Sequence, residues 1–280
     1  MFLVSDDKSL GKIVARGQRL AYRFDNSSNF AQSPPMNSDR LPPKAAAKAN
    51  IDLERRAQIG AERRARSRTA ILVAAFHCFG KEGGHSTRIE DICEEAGLAR
   101  GTFYNHFNDI DELRYELSED LTREFDRAVH VVFERITDPV ERCAIAIRYY
   151  LHTARLNRDW GWAMVNSGVK PQVFGRTVWA NSMQSVQEVI DLGRFRLKNA
   201  RLGRDILMGA TSTAMITLAR GLADDDYPED IARHVLISFG LDHATADAMV
   251  SSPLPPLPEV AQAHIVIANL PRLDPSEPRR

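Results

Sequence analysis

The 280-residue sequence lacks a net charge, a long apolar run and a secretory signal. Lys and Arg together number 37, as do Asp and Glu, so any nucleic-acid or membrane site must come from local clustering of charge. The longest apolar runs, such as AILVAAF at 70–76, fall far below the roughly 18 residues that cross a bilayer. Asp6 and Asp7 interrupt the N-terminal segment before the apolar core of a signal peptide develops. We therefore expect a cytoplasmic protein with no membrane partner.

Catalytic and metal-binding motifs are also missing. Cys78, Cys93 and Cys143 form no CxxC pair and are interpreted as small apolar core residues, with a redox or metal role as the alternative. The eight histidines include no H-x₃-H pair with a third ligand nearby. No GxSxG, P-loop, HExxH or GxGxxG motif occurs. These absences predict a protein that is not an enzyme and needs no cofactor and no metal.

Sustained period-two alternation of apolar and polar residues, the pattern of a β-strand, is not found either. The apolar residues recur instead at helical spacing, so we predict an all-α fold. The first 54 residues are rich in Ser, Asn, Pro and Ala, which is typical of a disordered extension. Residues 251–280 are proline-rich and predicted to be extended, either as a disordered tail or as a ligand for a partner.

Two amphipathic helical patterns separated by glycines lie between residues 68 and 97. The first pattern covers 68–82, ends at Gly83-Gly84, and has its apolar stripe at Ile71, Leu72, Ala75, Phe76 and Phe79. Thr87 is the predicted N-cap of the second helix, because Glu90 three residues later completes a capping box. The apolar stripe of that helix is Ile89, Ile92, Cys93 and Ala96. Gly97 is predicted to end it.

A short third helix is predicted from Arg100. Phe103 and Phe107 share one face at i, i+4 spacing and are expected to be buried, whereas Tyr104 and His106 are expected to stay outside. Helix, turn, helix, AGLA turn and short helix form a helix-turn-helix, in which the third helix enters the major groove of DNA. After this motif, a long helix is predicted over about 109–136, with buried Leu113, Leu117, Leu121 and Phe125.

The third helix carries the side chains that suit DNA. Arg100 matches guanine or phosphate, and Asn105 matches adenine. Gly101 allows close approach of the backbone, and Thr102 offers a hydroxyl and a methyl group. The residues expected to contact phosphates are Tyr104 and His106, with Thr87 and Arg88 at the start of the second helix.

Arginines crowd the segment that precedes the motif. Six lie between Arg55 and Arg68, against one acidic residue, Glu62. Such a segment is either a solvated helical face or a basic arm that contacts phosphates. The helix-turn-helix that follows favours the arm, with Arg64, Arg66 and Arg68 as the candidate contacts.

Residues 68–113, with the core EDICEEAGLARGTFYNHF, resemble the TetR family of bacterial transcriptional repressors. Alanine stands at position 99, where the family usually has a Ser or Thr that caps the recognition helix, and this weakens the cap by about 1 kcal/mol. Gly84 stands where the family often has an aromatic residue. The resemblance implies a homodimer that binds double-stranded DNA at a palindromic operator.

The resemblance also implies four segments: an extension (1–54), a helix-turn-helix domain with its basic arm (55–110), a helical ligand-binding and dimerisation domain (111–250), and a tail (251–280). Dimerisation would use helices at about 203–222 and 228–240 as a four-helix bundle. The small-molecule effector would bind at the richest aromatic and methionine cluster, which consists of Trp160, Trp162, Met164, Phe174, Trp179 and Met183. The alternative interpretation is that these residues are ordinary core. The expected function is a repressor released from DNA by a small hydrophobic ligand. The alternative is a helical protein-interaction adaptor without a ligand response.

Overall fold

A computed structural model of the chain describes residues 44–168 and 174–257, which contain ten α-helices, one 3-10 turn and no strand. The predicted all-α fold is confirmed. The expectations for residues 1–43 and 258–280 lie outside the described residues. The chain divides into two units, residues 1–52 and 53–280.

The helix-turn-helix consists of α1 (Lys44–Phe79), a 3-10 turn (Gly84–Ser86), α2 (Ile89–Ala96) and α3 (Arg100–Tyr104). Helix α1 begins at Lys44 rather than at residue 68, so the arginine segment is helical, and so are residues 44–54, which were expected to be disordered. The reason is that alanine, arginine, glutamine and glutamate all favour helix, although they build no apolar stripe there.

The start of α2 differs from the prediction by one residue. Arg88, not Thr87, is the N-cap, and its backbone N–H donates to the carboxylate of Asp91 at 2.8 Å. The Thr87 hydroxyl donates instead to the carbonyl of Cys78 at 3.2 Å, which joins this turn to the end of α1. Gly97 ends α2 as predicted, in the left-handed conformation with φ 64° that glycine adopts without strain.

The helix-turn-helix is held together by side chains that are fully or almost fully buried: Ile71, Phe79, Ile92, Phe103, Phe107 and Leu113. The predicted burial of Phe103 and Phe107 is confirmed. Gly84 lies against the backbone, since a Cβ there would sit 2.7 Å from the carbonyl oxygens of Cys78 and Phe79. An aromatic side chain at position 84 would not fit this turn.

Seven helices follow: α4 (Ile110–Phe133), α5 (Pro139–Leu156), α6 (Arg158–Ser167), α7 (Gly175–Asp191), α8 (Ala200–Ala219), α9 (Tyr227–Ser238) and α10 (His243–Ser251). Five of them begin at a side chain that accepts a backbone N–H of the first turn: Asp109, Asp138, Asn157, Asn199 and Asp242. The cap at Asn157 begins α6, so residues 158–162 are helical. Helix α7 ends at Asp191, and Gly193 follows with φ 70°.

The helices share one continuous apolar core that runs from Ile71 to Val250. The predicted burial of Leu113, Leu117, Leu121 and Phe125 on α4 is confirmed. Helix α5 packs on α8 and α9, and α8 packs on α6 and α7. Helix α4 packs on α6 and α7, and near its start Glu116 pairs with Arg68 of α1, so this helix joins the DNA-binding unit to the C-terminal helices.

Candidate DNA-reading surface and ligand cavity

The outer face of α3 presents polar side chains above a buried ring. Arg100, Gly101 and Asn105 are exposed, and Tyr104 is 49% exposed, while Phe103 beneath them is fully buried. Thr102 is half-buried. A Cβ at Gly101 would meet no atom within 4 Å, so this position leaves room for another backbone or a base edge. The face has the donors and acceptors that base recognition requires.

Arg100 is held by two neighbours on this surface. Its Nη1 lies 2.9 Å from Oε1 of Glu90 on α2. The Tyr104 side chain raises the pKa of the Arg100 guanidinium by hydrogen bonding, and the Glu90 charge adds to this effect. Because the ion pair between Arg100 and Glu90 is solvent-exposed, it is weak, and the guanidinium can exchange it for a DNA acceptor. Glu90 and Arg100 lie on different helices, so no helical spacing in the sequence indicates this ion pair.

His106 lies differently from the prediction. It is half-buried, and its Nε2 is 2.7 Å from the hydroxyl of Ser67 on α1. Burial, followed by the charges of Arg68 and Arg64, lowers the pKa of His106. The imidazole therefore joins the end of α3 to α1, and it is less available to phosphate than the Tyr104 hydroxyl.

The three candidate arginines of α1 fall into two groups. Arg68 forms an ion pair with Glu116 on α4, and its guanidinium lies 5.3 Å from the centroid of the Phe107 ring. It is thus part of the packing between α1 and α4. Arg64 and Arg66 are exposed on the preceding turn, where they remain available to phosphates.

The start of α2 also contributes to this surface. Arg88 is exposed, whereas Thr87 is half-buried and uses its hydroxyl within the protein. The free N–H groups of the first turn of α2 favour an anion such as phosphate.

A cavity of about 440 Å³ lies among α4, α5, α7 and α8. Its apolar walls include Val129, Phe133, Ile147, Phe174, Val178, Leu207 and Met208, and its polar or charged lining includes Asp126, His130, Glu134, Arg142, Tyr150, Asn181, Glu188 and Thr211. The volume lies at the lower end of the roughly 300–1,000 Å³ typical of small-molecule sites.

Only one of the six predicted ligand-binding residues, Phe174, lines this cavity. Trp160 and Met164 are buried in the core, where the Trp160 indole N–H donates to the carbonyl of Leu121 at 3.3 Å. Trp162 is also buried and lies beneath the guanidinium of Arg220. Helix α6, which bears these three residues, packs on α4, α5 and α8 and so fills the core.

Trp179 and Met183 line a separate cleft on the outer side of α7, together with Arg204. The Arg204 guanidinium lies 3.9 Å from the centroid of the Trp179 ring and covers it. The six residues are therefore divided among the core, the cavity and an outer cleft, and do not form one site.

Glu119 of α4 fixes the position of α7 beside the cavity. Its carboxylate accepts hydrogen bonds from the backbone N–H of Arg176 and from the Thr177 hydroxyl, the latter at 3.0 Å. Helix α7 has no cap from its own N-cap side chain, that of Phe174, so a carboxylate from α4 satisfies its first turn. No local sequence pattern indicates Glu119 as the cap of α7, because it lies 57 positions away from Arg176.

Three side chains connect the DNA-binding unit to the C-terminal helices. The amide Nδ2 of Asn166 on α6 donates to the carbonyls of Phe79 at 2.7 Å and Lys81 at 2.9 Å. Arg220, which follows α8, pairs with Glu82 at 2.7 Å. On α4, Arg114 donates through Nη2 to the carbonyl of His85 at 2.8 Å. Sequence reasoning missed these contacts.

Family comparisons agree with this architecture. The model described as "Bacterial regulatory proteins, tetR family" matches residues 71–117, and the model described as "Tetracyclin repressor-like, C-terminal domain" matches residues 138–252. The chain belongs to the TetR family. It is thus a DNA-binding transcriptional regulator with an N-terminal helix-turn-helix and a C-terminal helical domain. Dimers and ligand responses are typical of this family.

Individual TetR-family relatives are distant. UidR of Escherichia coli (strain K12), an HTH-type transcriptional regulator, is 26% identical over 183 residues, which cover 62% of this chain and 89% of UidR. HbdR of Aromatoleum sp. (strain CIB) is 28% identical over 92 residues, which span 33% of this chain and only 40% of HbdR. The crystal structure of RolR in complex with resorcinol is 25% identical, with a TM-score of 0.57, and its match covers 71% of this chain and 100% of that chain.

Three further findings concern other functions. Within residues 44–168 and 174–257, no helix is both long and apolar enough to cross a membrane. The same ranges contain no group of three or more His, Cys, Asp or Glu side chains placed to hold a metal ion. Burial raises the pKa of the Cys78 thiol to about 11, which favours the interpretation of this residue as core.

Proposed function

We propose that this TetR-family protein is a dimeric repressor that binds a palindromic operator and releases it when a small hydrophobic ligand enters the cavity. The observation that carries the proposal is the position of α4. Near its start, Glu116 pairs with Arg68 of α1 and Arg114 donates to the carbonyl of His85, and its later turns place Val129 and Phe133 in the cavity wall. One helix thus contacts both sites.

The proposed DNA contacts divide by role. Arg100, Thr102 and Asn105 are assigned to base edges, because their donors and acceptors suit the major groove, and Gly101 allows the approach. Tyr104 and Arg88 at the start of α2 are assigned to phosphates, whereas the Thr87 hydroxyl donates to the carbonyl of Cys78 within the protein. Additional phosphate contacts come from Arg64 and Arg66, whereas His106 and Arg68 orient α3 and α1 from within the protein. The assignment of His106 and Arg68 follows from their partners within the protein, which are Ser67 and Glu116, respectively.

The proposed dimer interface is the outer face of α8 and α9. Gly209 and Thr213 are exposed near the middle of α8, and Leu202 at its start is 44% exposed. A Cβ at Gly209 would meet no atom within 4 Å, so another helix could approach closely there. Two copies of this pair of helices would form a four-helix bundle across a two-fold axis.

A direct test of the interface uses Gly209. The substitution Gly209→Glu should leave each protomer folded, since the side chain has room, but should place two charges in the interface and yield monomers. Gly209→Ala is the matched control and should remain dimeric. Light scattering of the purified proteins at micromolar concentration measures the difference. A dimeric Gly209→Glu protein would place the interface elsewhere.

Ligand release follows from a two-state mechanism. A ligand that binds more tightly to the DNA-incompetent arrangement of α4 shifts the dimer away from the operator. A coupling free energy of about 1–3 kcal/mol corresponds to roughly 5–150-fold weaker DNA binding. The RolR crystal structure supports this proposal, because a related fold is there in complex with a small aromatic molecule, resorcinol.

The test begins with selection of bound DNA from a random pool, followed by a thermal-shift screen of small hydrophobic compounds and measurement of operator affinity with each hit. A palindromic site and a compound that weakens its binding are expected. Compounds that bind the C-terminal domain and leave operator affinity unchanged would refute ligand release. Absence of DNA binding would favour the adaptor alternative, which rests on the proline-rich segment 251–280, of which 258–280 lies outside the described residues.

A further inference from the structure

Tyr150 contributes a polar side chain to the cavity wall, and its contacts within the protein do not account for its hydroxyl group. Its side chain is only 8% exposed and packs between the rings of Phe125 and Phe174, with centroid separations of 4.7 and 5.3 Å. Among the described residues, its hydroxyl is buried and has no hydrogen-bond partner. A buried hydroxyl without a partner is destabilising, and phenylalanine would fit the same rings without this penalty.

Asp126 supplies a complementary group in the same cavity. Its carboxylate is mostly buried, and its side-chain contacts among the described residues are long, 3.5 Å to Nδ2 of Asn181 and 3.5 Å to Nδ1 of His130. The carboxylate is near enough that its charge raises the pKa of Tyr150, beyond the larger effect of burial, so the phenol stays protonated. A phenol donor and a carboxylate acceptor thus line one cavity without bonding to each other. A single hydroxyl group can serve both, since it accepts one hydrogen bond and donates another.

The charges of the lining disfavour an anionic ligand. Three carboxylates, those of Asp126, Glu134 and Glu188, line the cavity. The guanidinium of Arg142 already pairs with Glu188 at 2.7 Å. A carboxylate ligand would therefore meet negative charge near Asp126 with its nearest guanidinium already engaged, at a considerable desolvation cost.

The remaining walls are apolar and partly aromatic, and the volume of about 440 Å³ suits a compact molecule rather than a long chain. We propose that the cavity binds an uncharged hydroxylated aromatic compound, a phenol, whose hydroxyl donates to Asp126 and accepts from Tyr150. This inference rests on the proposed function only for the regulatory consequence of binding. The binding itself can be tested without DNA.

The test compares compounds by calorimetric titration of the full-length protein. The probes are phenol, resorcinol and 2-naphthol, against toluene, anisole and benzoate. Phenol is expected to bind about tenfold or more tightly than toluene, which has a similar size, because one hydroxyl forms two hydrogen bonds, one of them to a charged group. Anisole should fall between them, since its oxygen can accept from Tyr150 but cannot donate to Asp126. Benzoate should bind weakly.

Two variants with matched controls assign the contacts. Tyr150→Phe should weaken phenol binding about 3–10-fold and leave toluene binding unchanged. The control Tyr149→Phe removes a hydroxyl that donates to the carbonyl of Pro255 outside the cavity, and should change neither affinity. Asp126→Asn should weaken phenol binding at least as much as Tyr150→Phe, because it removes a charged acceptor. Its control is Asp120→Asn on the same helix.

The outcomes separate this inference from the proposed function. Equal affinities for phenol and toluene, benzoate as the tightest ligand, or unchanged phenol binding by Tyr150→Phe would each overturn the assignment of a phenol. If phenols bind with the expected dependence on Tyr150 and operator affinity stays constant, the ligand class stands and ligand-relieved repression fails. If phenols do not bind and another compound releases DNA, repression stands and the ligand class fails.

Discussion

Asn166 offers a direct test of how the C-terminal helices hold the DNA-binding unit. Its side chain is buried, and Nδ2 is 2.7 Å from the carbonyl oxygen of Phe79, the last residue of α1. The same nitrogen is 2.9 Å from the carbonyl of Lys81, which also accepts from the backbone of Gly84. The substitution Asn166→Leu keeps most of the volume and removes both donors. The Phe79 carbonyl then loses its side-chain donor, while that of Lys81 keeps its backbone donor.

The expected magnitude follows from these two carbonyls. A buried acceptor that loses its partner costs about 1–3 kcal/mol, and the loss of a second, less essential hydrogen bond costs about 0.5–1.5 kcal/mol. We therefore expect Asn166→Leu to lower the free energy of unfolding by about 1.5–4.5 kcal/mol. This corresponds to a decrease in Tm of about 3–18 °C for a domain of this size.

Urea unfolding followed by circular dichroism measures this difference. The control is Gln187→Ala, which removes an exposed side-chain contact to Asp191 and should change the free energy of unfolding by less than about 0.5 kcal/mol. An Asn166→Leu protein as stable as the control would show that the amide does not hold the end of α1 in solution, and the reasoning from these distances would be refuted.

Three further predictions concern the DNA-binding unit. Asn105→Ala should relax preference at one base pair by about 1–3 kcal/mol, whereas Tyr104→Phe should weaken all sites alike; equal effects on an operator and its single-base variants would contradict this division. Replacing Arg64 and Arg66 by Gln should flatten the slope of the logarithm of the DNA-binding constant against the logarithm of salt concentration by up to about 0.9 per lost phosphate contact. An unchanged slope would show that these arginines belong to a solvated helical face and do not contact DNA. Because the pKa of His106 is lowered from 6.5, the unfolded chain binds its proton more readily. The free energy of unfolding should therefore fall as the pH drops below about 6.5, and a His106→Gln protein with the same pH dependence would contradict this origin.

The sequence by itself determined the local features of this protein. The all-α class, the helix-turn-helix, the end of α2 at Gly97 and the burial of Phe103 and Phe107 all follow from spacings of a few residues. These features could be predicted because helical periodicity and glycine conformation act within one or two turns of the chain. The same local reasoning placed the cap of α2 one residue early, since the competing acceptor for Thr87, the carbonyl of Cys78, lies on another helix.

The tertiary structure alone decided which side chains line the cavity and which connect the two domains. Aromatic content predicted Trp160 and Trp162 as ligand-binding residues, but both are buried in the core. The cavity is lined instead by residues that include Asp126 of α4 and Tyr150 of α5. Asn166 and Phe79 meet across 87 positions of sequence. A helical pattern specifies which face of a helix is apolar, but not which neighbour that face meets or where the packing leaves space. The position of the ligand site therefore depends on how the helices pack, which no short stretch of this sequence encodes.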